Sequence, residues 1–155
     1  MSTTSAAILL VEDNEDDVFL MRRALKSAGI INPLIVAEDG QQAIDYLAGA
    51  GEFADRATHP LPAIVFLDLK LPFIRGHDVL SWIRQQPHLE NLVVVILTSS
   101  NEPKDLKEAY RLGANSYVVK PPTSEQLLDL AKAFRWYWLR FNEFDPLSEV
   151  APGSR

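Results

Sequence analysis

Five short apolar runs constrain this chain most: AILLV at 7–11, LIVA at 34–37, AIVFL at 63–67, LVVVIL at 92–97 and SYVV at 116–119. A strand with one wet face alternates polar and apolar residues. Runs that are apolar at nearly every position suit strands covered on both faces, as in a parallel sheet. Between the runs the apolar residues change to helical spacing. Val18, Met21, Leu25 and Ala28 form one stripe, ended by Gly29. Ala43, Ile44 and Leu47 form a second, and Val79, Leu80 and Ile83 a third. Leu106, Ala109, Tyr110 and Leu112 form a fourth, ended by Gly113. A fifth begins at Thr123, where Thr-Ser-Glu-Gln matches a capping box, and runs to about Phe141. Strand and helix thus alternate five times. Right-handed crossovers turn that pattern into an α/β fold, a doubly wound five-stranded parallel sheet with helices on both faces. Ligands of such sheets bind beyond the carboxyl ends of the strands.

The 155 residues suit one domain, here 7–144, with a disordered N-terminus at 1–6 and a flexible tail at 145–155. Residues 49–62 form a long loop rich in turn formers, and too little chain follows the fifth helix to build a helix-turn-helix output module.

The stretch VEDNEDD at 11–17 places five carboxylates in six positions at the end of the first run. Asn14 suits an N-cap, and Glu15, Asp16 and Asp17 then fall in the first helical turn, where they complement the positive end of the helix dipole. Glu12 and Asp13 remain at the mouth of the strand. Asp68 stands at the same place on the third run, IVFLDL, followed by Lys70, Leu71 and Pro72. If both strands are central, three carboxylates meet at one edge, and like charges that close need a counter-ion. A hard divalent cation such as Mg²⁺ resolves this, bound by carboxylates, waters and a phosphate. The fourth run ends at Thr98-Ser99-Ser100 and the fifth at Lys120-Pro121, so one edge collects carboxylates, a hydroxyl and an ammonium. Each alone is commonplace as a turn residue, cap or solvated lysine. The set, one group per strand in order, is specific.

Composition narrows the choice. A net charge of −6 without a Lys/Arg cluster argues against nucleic acid. The absence of cysteine excludes disulfides, thiol catalysis and cysteine metal sites. No apolar run is long enough for a bilayer and no signal peptide opens the chain, so a soluble cytoplasmic protein is expected. His59, His77 and His88 show no ligand spacing and read as surface or capping residues. Gly49 and Gly51 follow a helix rather than a strand and make no phosphate loop.

Glu12-Asp13, Asp68, Thr98 and Lys120-Pro121 together resemble the signature of two-component response regulator receiver domains over roughly residues 7–138. The long loop before the third strand, the LxLP after Asp68, the ANSYVVKP stretch and the aromatic final helix resemble the single-domain, CheY-like group paired with phytochrome histidine kinases. The resemblance implies a flavodoxin/CheY-like strand order 2-1-3-4-5 and an extended last helix. It implies that Asp68 accepts a phosphoryl group from a phosphohistidine of a sensor kinase, and that the chain catalyses no reaction beyond its own phosphorylation and dephosphorylation. Mg²⁺ is then held by Asp13, Asp68 and the backbone carbonyl of Lys70, with Glu12 acting through water. Lys120 pairs with the phosphoryl group, and its bond to Pro121 is expected to be cis. Thr98 moves toward the phosphoryl group and Tyr117 rotates inward behind it, changing the shape of the surface around the fourth and fifth helices. Departures from the family pattern are the cation at Lys70, Arg75 before Gly76, and Pro122 after Pro121.

The last helix carries a surplus of aromatics. Leu127, Leu130, Ala131 and Phe134 supply the stripe that one packed face needs. Phe134, Trp136, Tyr137, Trp138, Phe141 and Phe144 are candidates for a homodimer interface, the alternative being a chain end that folds back over its own domain. Two other functions compete with a phosphorylated switch. A phosphorylation-independent dimeric scaffold has no need of the complete acidic set. An FMN protein or an aspartate-based phosphohydrolase on this topology conflicts with the acids after the first strand, or with Leu69 and Lys70 where the hydrolase wants a second acid.

Overall fold

The computed structural model describes residues 6–144, so most of the expected N-terminal segment and the tail from 145 lie outside the described residues. The apolar runs become strands β1 (Ile8–Val11), β2 (Leu34–Ala37), β3 (Ile64–Leu67), β4 (Val93–Thr98) and β5 (Ser116–Val119). The stripes become helices α1 (Glu15–Ser27), α2 (Gly40–Ala48), α3 (Gly76–Gln85), α4 (Pro103–Arg111) and α5 (Ser124–Phe134). All strand pairs are parallel, in the order β2-β1-β3-β4-β5.

The period-two geometry of strands splits the apolar runs into two layers. Leu9, Val11, Val65, Leu67, Val94 and Ile96 pack with Ala43 and Leu47 of α2, Val79, Leu80 and Ile83 of α3 and Ala109 of α4. Ile8, Leu10, Ile64, Phe66, Val95 and Leu97 pack with Met21, Ala24 and Leu25 of α1 and Ala131 and Phe134 of α5. Each fully buried Leu, Ile or Val adds roughly 1.5–3 kcal/mol, which is why three central strands carry almost no polar residue before their ends.

Helix starts follow the expected chemistry. Asn14 Oδ1 accepts from the Asp17 amide at 3.0 Å, and Thr123 Oγ1 from the Gln126 amide at 3.1 Å. The 49–62 loop is packed rather than loose. A short 3-10 turn at Gly51–Phe53 opens it. Arg56 then donates to the Tyr46 and Leu47 carbonyls in the last turn of α2, at 2.8 and 2.9 Å, adding side-chain donors at a helix terminus.

The last helix does not stay α-helical to Phe141. Arg135–Phe141 winds as a π-helix, closed by the Asn142 amide on the Tyr137 carbonyl at 2.7 Å. This wider turn sorts the aromatics into two sets. Phe134 is buried, its ring 4.9 Å from that of Phe66. Trp138 and Phe144 stack on each other and lie against the α1/α5 side of the core. Trp136, Tyr137 and Phe141 point outward, 51%, 59% and 67% exposed. Phe134, Trp138 and Phe144 are therefore corrected from the expected interface set: their rings cover the chain's own domain.

Candidate functional site

Strand register assembles the site. Val11 pairs with Leu67, so Glu12 and Asp68 leave the sheet side by side, and the Asp68 amide donates to the Val11 carbonyl at 3.1 Å. Thr98 pairs with Val119, and the Lys120 amide donates to the Thr98 carbonyl at 2.8 Å. Four strands thus deliver Glu12, Asp68, Thr98 and Lys120 to one edge. The loop leaving Asp68 is pulled tight at Gly76. A Cβ there would stand 2.2 Å from the Asp68 carbonyl oxygen, so only glycine lets α3 start this close to the acid.

Lys120 is the hub. Its Nζ lies 2.6 Å from Glu12 Oε1, 2.8 Å from Asp17 Oδ2 and 3.0 Å from Asp68 Oδ2. Asp68 Oδ1 accepts from the Lys70 amide at 3.2 Å. Burial alone would lower the lysine's affinity for its proton, but the hydrogen bonds it donates to Asp17 and Glu12 and the charge of Asp68 outweigh it and raise its pKa. Glu12 is the most buried acid here, and desolvation pushes its carboxyl up to about 7, with Asp68 adding to the rise and Lys120 opposing it. Glu12, Asp17 and Asp68 all contact the one ammonium, which holds the proton on lysine, while Glu12 is raised first by its own burial and further by the charge of Asp68.

The same surplus suits a cation. Oxygens of Glu12, Asp13 and Asp68 all lie within 4.8 Å of one another. Octahedral ligands at about 2.1 Å stand about 3–4 Å apart, and a bound water extends that reach, so the carboxylates fit a hard divalent ion. A cleft of about 400 Å³ opens on Glu12 and Asp13 and is lined further by Glu15, Arg22, Glu38, Asp39 and Pro72.

Thr98 is fully buried, and its Oγ1 accepts from the Ser100 amide at 3.4 Å. Tyr117 already lies against the core, its hydroxyl donating to the Ser100 carbonyl at 2.9 Å. Ser100 Oγ donates in turn to Asp105 Oδ2 at 2.6 Å. Three expectations need correction. Among the described residues every peptide bond is trans, Lys120–Pro121 included. The Lys120 amide and the Thr123 cap are both satisfied without departing from the usual trans preference of about 0.5–1 kcal/mol. His77 is buried, not superficial: Arg75 Nη2 donates to its Nδ1 at 2.8 Å, leaving the proton on Nε2, which faces the Asp105 carbonyl at 3.3 Å and Glu108 Oε1 at 3.4 Å. Asp17 does more than complement the helix dipole. It sits four residues before Met21 and eight before Leu25, at the top of the buried stripe of α1, and that spacing aims it at the site.

A family model, Response regulator receiver domain, matches residues 8–132. This chain belongs to that family. The response regulator Rcp1 of Synechocystis sp. is 35% identical over 138 residues, which span 89% of this chain and 92% of Rcp1. A probable methanogenesis regulatory protein, FilR2 of Methanothrix harundinacea, is 38% identical over 135 residues, 87% of this chain and 84% of FilR2. The structure of the phosphorylated cyanobacterial phytochrome response regulator RcpA superposes with a TM-score of 0.84 at 32% identity, covering 90% of this chain and 98% of RcpA. Rcp1 itself, in a Mn²⁺-bound form, superposes with a TM-score of 0.81 at 34% identity, covering 90% and 99%. The receiver is a signalling module related to phytochrome response regulators, and the family implies a histidine kinase partner. Among the described residues no helix is long and apolar enough to cross a membrane.

Proposed function

We propose that Asp68 accepts a phosphoryl group from a phosphohistidine on a sensor kinase. An Asp68 carboxylate oxygen attacks phosphorus, the P–N bond breaks, and the donor imidazole leaves as an acyl phosphate forms. The observation that carries this reading is the position of Lys120, held 2.6 Å from Glu12 and 2.8 Å from Asp17 while touching Asp68 at 3.0 Å. An ammonium fixed there by two other acids is in place to pair with phosphoryl oxygens as they arrive, and phosphoryl transfer is chiefly positioning and charge neutralisation. Mg²⁺ held by Asp13, Asp68 and the Lys70 carbonyl, with Glu12 acting through water, would supply further neutralisation of those oxygens. That the related Rcp1 has a Mn²⁺-bound form supports divalent-cation binding.

Phosphorylation signals by drawing Thr98 toward the new group. Ser100 follows through its amide, and the Tyr117 and Asp105 bonds to Ser100 carry the change to α4 and β5. The pathway is a light pathway with a phytochrome as kinase, a reading supported by the likeness to RcpA. The chain forms a homodimer through the outward rings Trp136, Tyr137 and Phe141, which stay more than half exposed in the monomer.

Intact-protein mass after incubation with acetyl phosphate tests the acceptor. Wild type gains one phosphoryl group with Mg²⁺ and none with chelator, and Asp68→Asn gains none. No gain under any condition would sink this reading and leave a dimeric scaffold in its place.

A further inference from the structure

Phe73 combines two unfavourable features in one residue. Its φ is +68°, the left-handed region that a bulky L side chain rarely adopts, and its ring is 94% exposed. The Ile74 amide donates to the Pro72 carbonyl at 2.8 Å, so Phe73 is the middle of a three-residue turn of the rare, strained hand. Both flanks are pinned: Leu71 is buried and Ile74 packs on the core. The Phe73 ring joins neither core layer. Glycine or asparagine would make the same turn with less strain and without showing an aromatic ring to water. Fold stability therefore gives no reason for phenylalanine here.

Its place does. Pro72 lines the cleft that opens on Glu12 and Asp13, whose carboxylates lie within 4.8 Å of that of Asp68. A protein bringing a phosphoryl group to Asp68 must press on that rim. We propose that Phe73 is the aromatic anchor read by the phosphodonor protein, seated in an apolar socket beside the donor histidine. Asp13, Glu15, Glu38 and Asp39 around the cleft set the socket's surroundings, which carry cationic side chains. A small phosphodonor needs no socket, so Phe73 discriminates between donors without taking part in the chemistry. This rests on Asp68 being the acceptor.

The test compares two donors on wild type, Phe73→Ala, Phe73→Asn and Phe73→Trp. One donor is acetyl phosphate. The other is whichever kinase of a purified, autophosphorylated panel, bacterial phytochromes included, phosphorylates wild type fastest. Rates with acetyl phosphate should agree within about twofold across all four proteins. With the kinase, kcat/KM should fall about tenfold or more in the Ala and Asn variants, mostly through KM, while Trp retains it. The Asn variant should also melt above wild type, because the turn is relieved. Equal kinase rates for wild type and Phe73→Ala overturn the proposal, as do equal losses with both donors, or a wild type that takes phosphate from acetyl phosphate and from no kinase. A wild type inert to acetyl phosphate refutes the acceptor reading itself and removes this one with it.

Discussion

Lys120 and Asp68, 52 residues apart in the chain, meet at 3.0 Å between Nζ and Oδ2. The lysine reaches that position from the end of β5, on an amide tied to the Thr98 carbonyl. The acid pocket is therefore closed by a cation from an edge strand, and the pocket and the edge strand depend on each other.

Removing that cation should be expensive for the metal-free protein. Lys120→Ala leaves Glu12 and Asp68, both nearly buried, without their ammonium. Urea unfolding with chelator should show a loss of about 3 kcal/mol, since a buried charge left unpaired costs about that much. Mg²⁺ should restore part of the loss in Lys120→Ala and add less to wild type.

Glu12 gives the metal-free protein a pH dependence of definite sign. Its carboxyl titrates at about 7 in the fold against 4.5 when free. The folded state keeps a proton that the unfolded chain releases, so this contribution is fully present below about pH 4.5 and is lost as pH rises through about 7. Stability measured with chelator should fall across that window, and Glu12→Gln should flatten the slope. Calorimetry of Mg²⁺ binding near pH 6 should show proton release that vanishes in the same variant.

Gly76→Ala tests the tight loop. The added methyl meets the Asp68 carbonyl and the Leu69 backbone, neither of which can step aside as a flexible side chain would. Thermal and urea unfolding should show a loss of about 3 kcal/mol or more, and phosphorylation by acetyl phosphate should slow because Asp68 is displaced.

The two sets of aromatics should part under mutation. Trp138→Ala should destabilise the monomer by about 3 kcal/mol, since its ring packs on the core. Trp136→Ala and Phe141→Ala should leave the melting temperature nearly unchanged and weaken self-association about tenfold in sedimentation equilibrium. Trp136 stacks on Phe141 at 5.9 Å, with Arg140 above it at 5.1 Å, so one substitution loosens the whole exposed cluster.

Most of the sheet was legible because burial on two faces writes itself as an unbroken apolar run. The runs at 34–37 and 116–119 are β2 and β5 residue for residue. β1, β3 and β4 each start one residue after their runs, where an apolar residue belongs to the preceding turn, and β4 runs one residue further, onto Thr98. The acids were legible because each follows a run directly. Asp17 was half hidden: its chemistry fits a helix start, and only its spacing from Met21 and Leu25 betrays its aim. His77 was missed for a related reason, since it precedes Leu80 by one helical turn and shares that buried face. The π-helix has no signature in apolar spacing, because seven consecutive aromatic, aliphatic and basic residues fit several helical periods equally well. Phe73 was silent, since a positive φ is announced by glycine or asparagine and here by neither.

Gly76 also makes the two flanks of Asp68 unequal. On the α3 side, main chain rests against main chain at Asp68, and the Gly76 amide is tied to the Leu69 carbonyl at 3.0 Å. On the α4 side the Ser100 turn hangs from hydroxyls of Thr98, Tyr117 and Asp105's partner Ser100, bonds that rotate and re-form within a bond rotation's barrier. The first flank behaves as an anvil and the second as a hinge. On the proposed function, a charge placed on Asp68 is transmitted on the hinge side, and the missing side chain at 76 chooses that side.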